Sequence, residues 1–193
     1  MRAILSDAQL GLNIGCYGLQ LFFQRAGEGR RLAVLDSPVG RLWLIAEGEC
    51  IVGCWFDQPD RIPDLTGVRK VDAESDAVLG SAASILTRFF DGDVVALDEA
   101  RDLPLAPSGT AMQQAVWQEL RRIPVGQTRS YLEVARSIGR PKAARPVGQA
   151  VGRNPISILV PCHRVVGSNG SLTGFGGGLE RKIELLTREG VHL

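Results

Sequence analysis

A cysteine and a histidine stand side by side in residues 160–165, which read VPCHRV. A free thiol has a pKa of about 8.5, and it becomes a good nucleophile where a neighbouring base or positive charge favours the thiolate. His163 is one of two histidines in the chain, and Arg164 adds a fixed charge beside it. We therefore interpret Cys162 as a reactive thiol, although a lone cysteine is more often a small buried apolar residue.

The apolar run ISILV at residues 156–160 predicts how this thiol is presented. Such a run is typical of a buried strand, and Pro161 cannot donate to a ladder, so we expect the strand to end there with Cys162 at its tip. Adjacent strand residues point to opposite faces, so His163 reaches the thiol only if the backbone turns or a water bridges them. The glycine-rich residues 174–178 suit the close approach of a flat ligand, or form a flexible surface loop.

The first half of the sequence predicts a small sheet with a helix. Residues 32–57 read as three strands, with turns at residues 37–40 and 47–49. Residues 73–90 have helical spacing, and the sequence DGD ends that helix. We expect a short fourth strand at residues 94–97, before a linker rich in proline.

The second half of the sequence predicts three helices. Ser108 is expected to cap the first, and Ser130 with Glu133 forms the S-x-x-E pattern of a capping box for the second. The third is expected over residues 143–151, after a turn with glycine and proline. Two short helices joined by a tight turn indicate a helix-turn-helix, although many such hairpins bind no DNA.

These elements suggest an α+β fold in three parts. Residues 1–30 show no period and are left as an unassigned N-terminal extension. Residues 31–103 form an N-terminal α/β domain with an antiparallel sheet, and residues 104–193 form a mostly helical C-terminal domain.

Composition places the chain among soluble globular proteins, with 45% apolar and 22% charged residues. The four cysteines form no dense framework, which favours reduced thiols in a cytoplasmic protein, and no stretch suits a membrane span. Residues 121–193 hold 12 Lys and Arg against 4 Asp and Glu, whereas residues 1–120 hold 10 against 17. The basic half either contacts a polyanion or is a solvated face.

Several longer motifs resemble those of the O6-alkylguanine-DNA alkyltransferases, which repair alkylated guanine. They are NP before PCHRV, GGL…K…LL…EG after it, VWQELRRIPVGQTRSY, AARPVGQAVGRNP and, near the N-terminus, LDSPVGRLWL. The resemblance implies a ribonuclease H-like N-terminal domain and a C-terminal domain that carries the helix-turn-helix and the active-site cysteine. It implies DNA repair by irreversible, stoichiometric transfer of the alkyl group, typically methyl, from O6-alkylguanine in duplex DNA after base flipping. O4-methylthymine is a second substrate to consider.

The resemblance also implies roles for five catalytic residues. Cys162 is the single-use acceptor, His163 takes its proton through a water, and Glu189 holds the imidazole in the required tautomer. Asn154 ties the recognition helix to the active-site strand. Tyr131 helps to rotate the phosphate and contacts the guanine.

The DNA-binding residues implied by the resemblance belong to the helix-turn-helix. Its second helix is expected in the minor groove, where Arg145 fills the gap that the flipped nucleotide leaves. The small residues Ala144 and Gly148 allow that helix to approach closely, and Ser130 and Tyr131 complete the surface.

The guanine pocket is expected to include Phe175, Gly176, Gly177 and Val165. Two of them depart from the family pattern, because Phe175 stands where a tyrosine is usual and Gly176 where some members have serine. Backbone N–H groups would then stabilise the leaving guanine. Pro146 stands where alanine is common, and we expect it to be tolerated in the first helical turn, where its missing N–H has no partner to lose.

No metal or organic cofactor is expected for this chemistry. Cys50 and Cys54 are close in sequence, but no histidine lies in the first 150 positions to complete a zinc site. The expected partner is double-stranded DNA that carries alkylated guanine, bound by a monomer, with cooperative loading on DNA left open. Two alternatives remain: a helix-turn-helix transcriptional regulator without transfer activity, and a cysteine hydrolase.

Overall fold

The first half of the chain builds a four-stranded sheet. The computed structural model describes residues 29–58 and 62–192, so the expected extension lies outside it except for its last two residues. The strands are β1 (Arg31–Leu35), β2 (Leu42–Glu47), β3 (Cys50–Phe56) and β4 (Arg69–Lys70), in the spatial order β3-β2-β1-β4. The first three strands and their two turns are confirmed.

The expectation of a purely antiparallel sheet is wrong at one edge. β1, β2 and β3 are antiparallel neighbours, but β4 runs parallel to β1. A hairpin can join only antiparallel strands, whereas the chain here crosses from β3 at one edge to β4 at the other. The sheet is therefore mixed, because a crossover connection precedes its last strand.

Helix α1 (Ala77–Phe90) follows a short 3₁₀ turn at Ala73–Ser75 and packs on the sheet. Asp76 caps the helix by accepting from the N–H groups of Val78 and Leu79 at 3.1 and 3.0 Å. The same carboxylate forms a buried ion pair with Arg31 of β1. The buried side chains of α1 recur at helical spacing and enter the main core: Leu79, Ala82, Ala83, Ile85, Leu86 and Phe89.

The strand expected at residues 94–97 is wrong. Val94–Arg101 forms a 3₁₀ helix, in which Ala96, Leu97 and Ala100 are buried. A short apolar run such as VVAL fits both a strand and a helical turn, and here the spacing of the buried residues follows the turn.

The second half contains four α-helices and a two-stranded parallel sheet. They are α2 (Ala111–Leu120), β5 (Arg129–Ser130), α3 (Tyr131–Ser137), α4 (Ala144–Gly152), β6 (Val165–Val166) and α5 (Leu179–Arg188). The cap expected at Ser108 is wrong, since Thr110 caps α2 and forms a capping box with Gln113. The capping box of Ser130 and Glu133 at α3 is confirmed.

The helices of the second half are fixed by specific contacts. The indole N–H of Trp117 in α2 donates to the carbonyl of Ala150 in α4 at 2.9 Å, and both residues are buried. Pro146 is the third residue of α4, within the first turn as expected. Its missing N–H therefore removes no helical hydrogen bond.

The two halves share one continuous apolar core. β3 forms isolated bridges to the second half, Ile51 to Leu105 and Cys54 to Ile156. The expectation of reduced cysteines is wrong for Cys50, which is disulfide-bonded, while Cys54 and Cys162 are free and buried.

No group of three or more His, Cys, Asp or Glu within residues 29–58 and 62–192 could hold a metal ion. In the same residues no helix has both the length and the hydropathy that a bilayer span requires.

Candidate active site and DNA-binding surface

The segment that leads to Cys162 is anchored to β3 rather than forming a strand of its own. The N–H of Cys54 donates to the carbonyl of Pro155 at 2.9 Å, and the N–H of Ser157 donates to the carbonyl of Cys54 at 2.8 Å. Residues 156–160 form only isolated bridges, so the strand expected there is wrong. The pairing with β3 replaces the longer ladder that the apolar run suggested.

A tight turn at Ile158 then reverses the chain. Ile158 has φ 69°, and the N–H of Leu159 donates to the carbonyl of Ser157 at 2.8 Å. A three-residue turn with positive φ is strained, above all at a β-branched residue. Ile158 is 0% exposed, so packing of its side chain holds the turn in place. Cys162 follows as the first residue of a 3₁₀ helix, Cys162–Arg164.

Asn154 locks this segment and touches the thiol. Its side-chain N–H₂ donates to Cys162 Sγ at 3.1 Å and to the carbonyl of Val160 at 2.9 Å. Its Oδ1 accepts from the N–H of Ile156 at 3.0 Å. One amide therefore sets the turn and orients the sulfur.

His163, the next residue, belongs to a buried polar cluster. Its Nε2 is 2.8 Å from Oε1 of Glu189, while its Nδ1 is buried and makes no hydrogen bond to any described residue. The charge of Arg164, expected near the thiol, is paired within this cluster. Its guanidinium donates to both oxygens of Glu189 at 2.9 Å and to the carbonyl of Ile123 at 2.6 Å.

The cluster keeps Glu189 ionised and His163 neutral. Burial opposes ionisation of Glu189, but His163 and Arg164 outweigh it and lower the pKa of Glu189 to about 2. Burial lowers the pKa of His163, and the attraction of Glu189 only partly offsets that effect. At neutral pH the imidazole is therefore a base with a carboxylate fixed on Nε2.

Cys162 is a thiol at rest rather than the thiolate expected from its neighbours. Burial raises the pKa of Cys162, and the hydrogen bond from Asn154 and the charge of Lys182 only partly oppose this rise. The sulfur must therefore lose its proton as it reacts.

Lys182 was missed as a site residue, although the K of the GGL…K motif pointed to it. Its side chain is 0% exposed, and Nζ donates to the carbonyls of Val165 at 2.6 Å and Thr173 at 3.1 Å. Burial lowers the pKa of Lys182, and the interaction with Cys162 opposes that shift. It joins α5 to the segment before the glycine-rich loop.

A pocket of about 210 Å³ opens onto Cys162. Phe56 at the end of β3 and Phe175 of the loop meet edge to face, with ring centroids 5.8 Å apart. The sequence did not predict that the first half of the chain contributes Trp55, Phe56 and Gln58. The described lining is Trp55, Phe56, Gln58, Val151, Gly152, Arg153, Asn154, Pro155, Ser157, Cys162, Phe175 and Gly176.

Two of the four expected pocket residues lie behind that lining. Phe175 and Gly176 face the pocket, but Gly177 packs against Phe56, where an added Cβ would lie 2.5 Å from the ring. Val165 is buried in β6. Both therefore support the pocket without lining it.

The expected DNA-binding residues gather at a separate surface hollow between α3 and α4. Tyr131, Ala144, Arg145 and Gly148 line it, and the tyrosine hydroxyl accepts from the Thr173 hydroxyl at 2.9 Å. Tyr131 does not line the described part of the Cys162 pocket. Arg145 is exposed at the start of α4.

Ser130 has a local structural task. Its hydroxyl donates to Oε2 of Glu133 at 2.7 Å and accepts from the N–H of Glu133 at 3.2 Å. The capping box therefore already engages this side chain.

Comparison with known proteins agrees with this geometry. Residues 111–191 match the family model described as "6-O-methylguanine DNA methyltransferase, DNA binding domain". The methylated-DNA–protein-cysteine methyltransferase of Haemophilus influenzae is 44% identical over 153 residues, covering 79% of this chain and 82% of that protein. The protein of the same name from Methanosarcina acetivorans is 40% identical over 163 residues, covering 82% and 97%.

Solved structures agree as well. A crystal structure of the Mycobacterium tuberculosis O6-methylguanine methyltransferase superposes with a TM-score of 0.74 at 40% identity, covering 83% of this chain and 93% of that one. The M. tuberculosis protein in complex with DNA gives 0.70 at 41% identity, covering 83% and 91%. The resemblance seen in the sequence is confirmed, and the chain belongs to the methylated-DNA–protein-cysteine methyltransferases, the O6-alkylguanine-DNA alkyltransferases.

Proposed function

We propose that this chain repairs DNA by moving the alkyl group of O6-alkylguanine, typically methyl, irreversibly onto Cys162. One observation carries the proposal: a thiol hydrogen-bonded by Asn154 opens onto a pocket of about 210 Å³, with a neutral imidazole beside it in sequence. The names of relatives that are 40–44% identical favour the same reaction.

The transfer is a displacement at the alkyl carbon. The Sγ–C bond forms as the C–O6 bond breaks, and the electron pair of that bond leaves with the guanine. The thiol proton passes through one water to His163 Nδ1, which makes no other hydrogen bond to the described residues. Glu189 stabilises the imidazolium, and the proton then neutralises the departing guanine.

Each molecule reacts once in this scheme. The product is a thioether, and its sulfur no longer carries a proton that a base could remove. No residue of the cluster offers a route that returns the alkyl group. The reaction is therefore stoichiometric and needs no metal or organic cofactor.

The lesion reaches the pocket only if the base leaves the duplex. A guanine in a stacked pair hides its O6 substituent, and enzymes that act on bases commonly rotate the nucleotide out. We assign α3 and α4 to a helix-turn-helix, with α4 in the minor groove and Arg145 in the gap that the base leaves. Tyr131, Ala144 and Gly148 flank this arginine in the hollow.

The remaining expectations fit this scheme as parts of the proposal. We assign residues 31–103 to a ribonuclease H-like N-terminal domain and residues 104–193 to the alkyltransferase and DNA-binding domain. We place the protein in the cytoplasm, acting as a monomer, although the disulfide of Cys50 departs from the reduced state that is usual there.

Mass spectrometry after mixing with a duplex that carries O6-methylguanine tests the proposal. The wild-type protein should gain one methyl group, on the peptide that contains Cys162, in proportion to the lesions lost. Cys162→Ala should bind the duplex and remove no lesion. Cys54→Ala, which removes the other described free thiol, should still be methylated at Cys162.

The outcomes separate the alternatives. Loss of the lesion while Cys162 stays unmodified would reject the assigned acceptor. A regulator that uses only the helix-turn-helix would bind one sequence preferentially and leave the lesion intact. A cysteine hydrolase would release a cleaved product and regain its free thiol.

A further inference from the structure

The first turn of α5 carries two adjacent cations that hold the two ends of the pocket loop, residues 174–178. Lys182 donates to the carbonyl of Thr173, just before the loop, at 3.1 Å. Arg181 donates from Nη1 to the carbonyl of Gly177, near the end of the loop, at 2.6 Å. The position of the loop therefore depends on α5 at both ends.

Arg181 also reaches the first half of the chain. Its Nε donates to the carbonyl of Val39, in the turn between β1 and β2, at 2.6 Å. Gly40 makes room for this contact: it has φ +100°, and an added Cβ would lie 3.3 Å from Nη2 of Arg181. A side chain at that position would strain the backbone and crowd the guanidinium.

The same guanidinium lies over a wall of the pocket. Its Cζ is 5.1 Å from the centroid of the Phe56 ring, and Phe56 in turn meets Phe175 edge to face. Both rings line the Cys162 pocket. Arg181 therefore contacts both Phe56, the pocket wall supplied by β3, and the carbonyl of Gly177 near the end of the loop.

The chemistry of Arg181 suits geometric control rather than charge pairing. It forms no ion pair within residues 29–58 and 62–192, and its donors go to two carbonyls. A planar guanidinium can bond in two directions while it stacks on a ring, whereas a lysine ammonium acts as a point charge.

We propose that Arg181 is a positioning residue that sets the width of the Cys162 pocket, and so selects between small and bulky O6-alkyl groups. The inference rests on the proposed function and extends it to specificity. Without the contacts of Arg181 to Val39, Gly177 and Phe56, the Phe56 ring and the loop can move apart. The wider pocket then admits larger alkyl groups and positions a methyl group less accurately.

Arg188 provides a matched control on the same helix, seven residues further on. It also donates to a carbonyl, that of Phe90 at 3.2 Å, and lies over an aromatic ring, Phe90, with Cζ 5.7 Å from the centroid. It contacts neither the loop nor Phe56. Arg188→Ala removes a similar clamp away from the pocket.

The test compares second-order transfer rates for duplexes that carry O6-methylguanine or O6-benzylguanine in one sequence. Arg181→Ala should raise the benzyl-to-methyl ratio on the order of tenfold, the scale at which pockets discriminate small apolar groups. Arg181→Lys should resemble Arg181→Ala, because an ammonium is a point charge and lacks the planar fork that bonds to Val39 and Gly177 while it lies over the Phe56 ring. Arg188→Ala should keep the wild-type ratio.

A second readout measures the pocket without DNA repair. Cys162 is labelled with iodoacetamide and with a benzyl-bearing iodoacetamide, and the labelled peptide is quantified by mass spectrometry. Arg181→Ala should favour the bulky reagent relative to wild type, even if the wild-type protein repaired no lesion. Unchanged ratios in Arg181→Ala, an equal change in Arg188→Ala, or full rescue by Arg181→Lys would each overturn the proposal.

Discussion

Cys162 combines a buried, protonated sulfur with a neutral imidazole as its sequence neighbour, so deprotonation has to accompany attack. Burial raises the pKa of Cys162 and lowers the pKa of His163. Across neutral pH the site therefore stays in one protonation state, thiol with neutral imidazole. A buried thiol of this kind is protected from casual oxidation and alkylation, because the thiolate is the reactive form.

This protonation state predicts a pH profile. The transfer rate should be level through neutral pH and fall in acid only where His163 is protonated, below the ordinary value of 6.5 because burial lowers its pKa. The second-order rate constant for a methylated duplex, measured between about pH 5 and pH 9, checks this. A rate that rose in proportion to hydroxide through neutral pH would instead indicate attack by a preformed thiolate without a base.

Glu189 predicts a stability effect. Its folded pKa of about 2 lies below the ordinary value of 4.5. The stabilisation is thus present above pH 4.5 and is lost as pH falls towards 2. Glu189→Gln should lower the free energy of unfolding at neutral pH by about 3 kcal/mol, because Arg164 keeps a buried charge without its partner.

Denaturant unfolding at neutral and acid pH measures that effect. Glu184→Gln on the same helix is the control, since Glu184 pairs with Arg188 at a partly exposed site. Its change should stay within about 0.5 kcal/mol. A gap between wild type and Glu189→Gln that did not narrow in acid would contradict the assigned pKa.

At the scale of elements, the sequence predicted features set by neighbouring residues, but it did not predict which distant segments pair as strands. The S-x-x-E pattern located the start of α3, because a capping box needs only residues three apart. The run ISILV wrongly predicted a strand. Its backbone partner is Cys54, about a hundred positions earlier, and the turn at Ile158 depends on tertiary packing. The parallel strand β4 was not predicted either, because its partner β1 lies far from it in the sequence.

The site shows the same division. The motif residues Cys162, His163, Asn154 and Glu189 do converge. Trp55 and Phe56 of β3, and Gln58 just after it, also line the pocket, but the apolar pattern of β3 predicts only a buried strand. A sequence motif marks chemistry near one cysteine. It does not tell which distant strand closes the pocket around it.

The capping box of α3 gives a prediction that separates folding from DNA contact. Ser130→Ala should lower the free energy of unfolding by about 1 kcal/mol, the usual effect of losing an N-cap. Ser130→Asp can still accept from the N3 N–H, but it cannot donate to Glu133 Oε2 and sets a second carboxylate beside it, so it should also lower stability. It should in addition weaken DNA binding if residue 130 faces phosphate. Thermal unfolding and duplex titration measure the two effects.

Thr110 is the matched control for that experiment. It caps α2 through an equivalent box with Gln113 and does not line the hollow between α3 and α4. Thr110→Ala should lower stability similarly and leave DNA affinity unchanged. Equal DNA affinity for Ser130→Asp and wild type would remove Ser130 from the DNA-binding surface.

At the scale of the whole molecule, most cations of the basic half bond to other groups of the protein. Arg164 and Lys182 are buried, Arg122 and Arg129 pair with Glu119, and others bond to carbonyls. Within the described residues, five exposed cations around α3 and α4 make no side-chain ion pair or hydrogen bond: Arg136, Arg140, Lys142, Arg145 and Arg153. The number of Lys and Arg in the basic half is therefore larger than the number of cations that are free to contact DNA phosphates.

This count predicts the salt dependence of DNA binding. Five phosphate contacts give a slope of log K against log salt of about −4.5, whereas all 12 Lys and Arg of residues 121–193 would give a far steeper one. Arg145→Ala should reduce the slope by about 1. Arg122→Ala, which removes a cation paired with Glu119, should leave it unchanged. A flat response would contradict the basic-surface argument.

The pairing of β3 with the segment before Cys162 constrains how this protein can evolve. Cys54 offers only its backbone to Pro155 and Ser157, yet those two hydrogen bonds align the Cys162 sulfur with rings from the same strand. An insertion or deletion of one residue in β3 would turn its side chains to the other face and break that alignment. The two halves are therefore not interchangeable modules, and a graft of the catalytic half onto another sheet would have to bring this strand along.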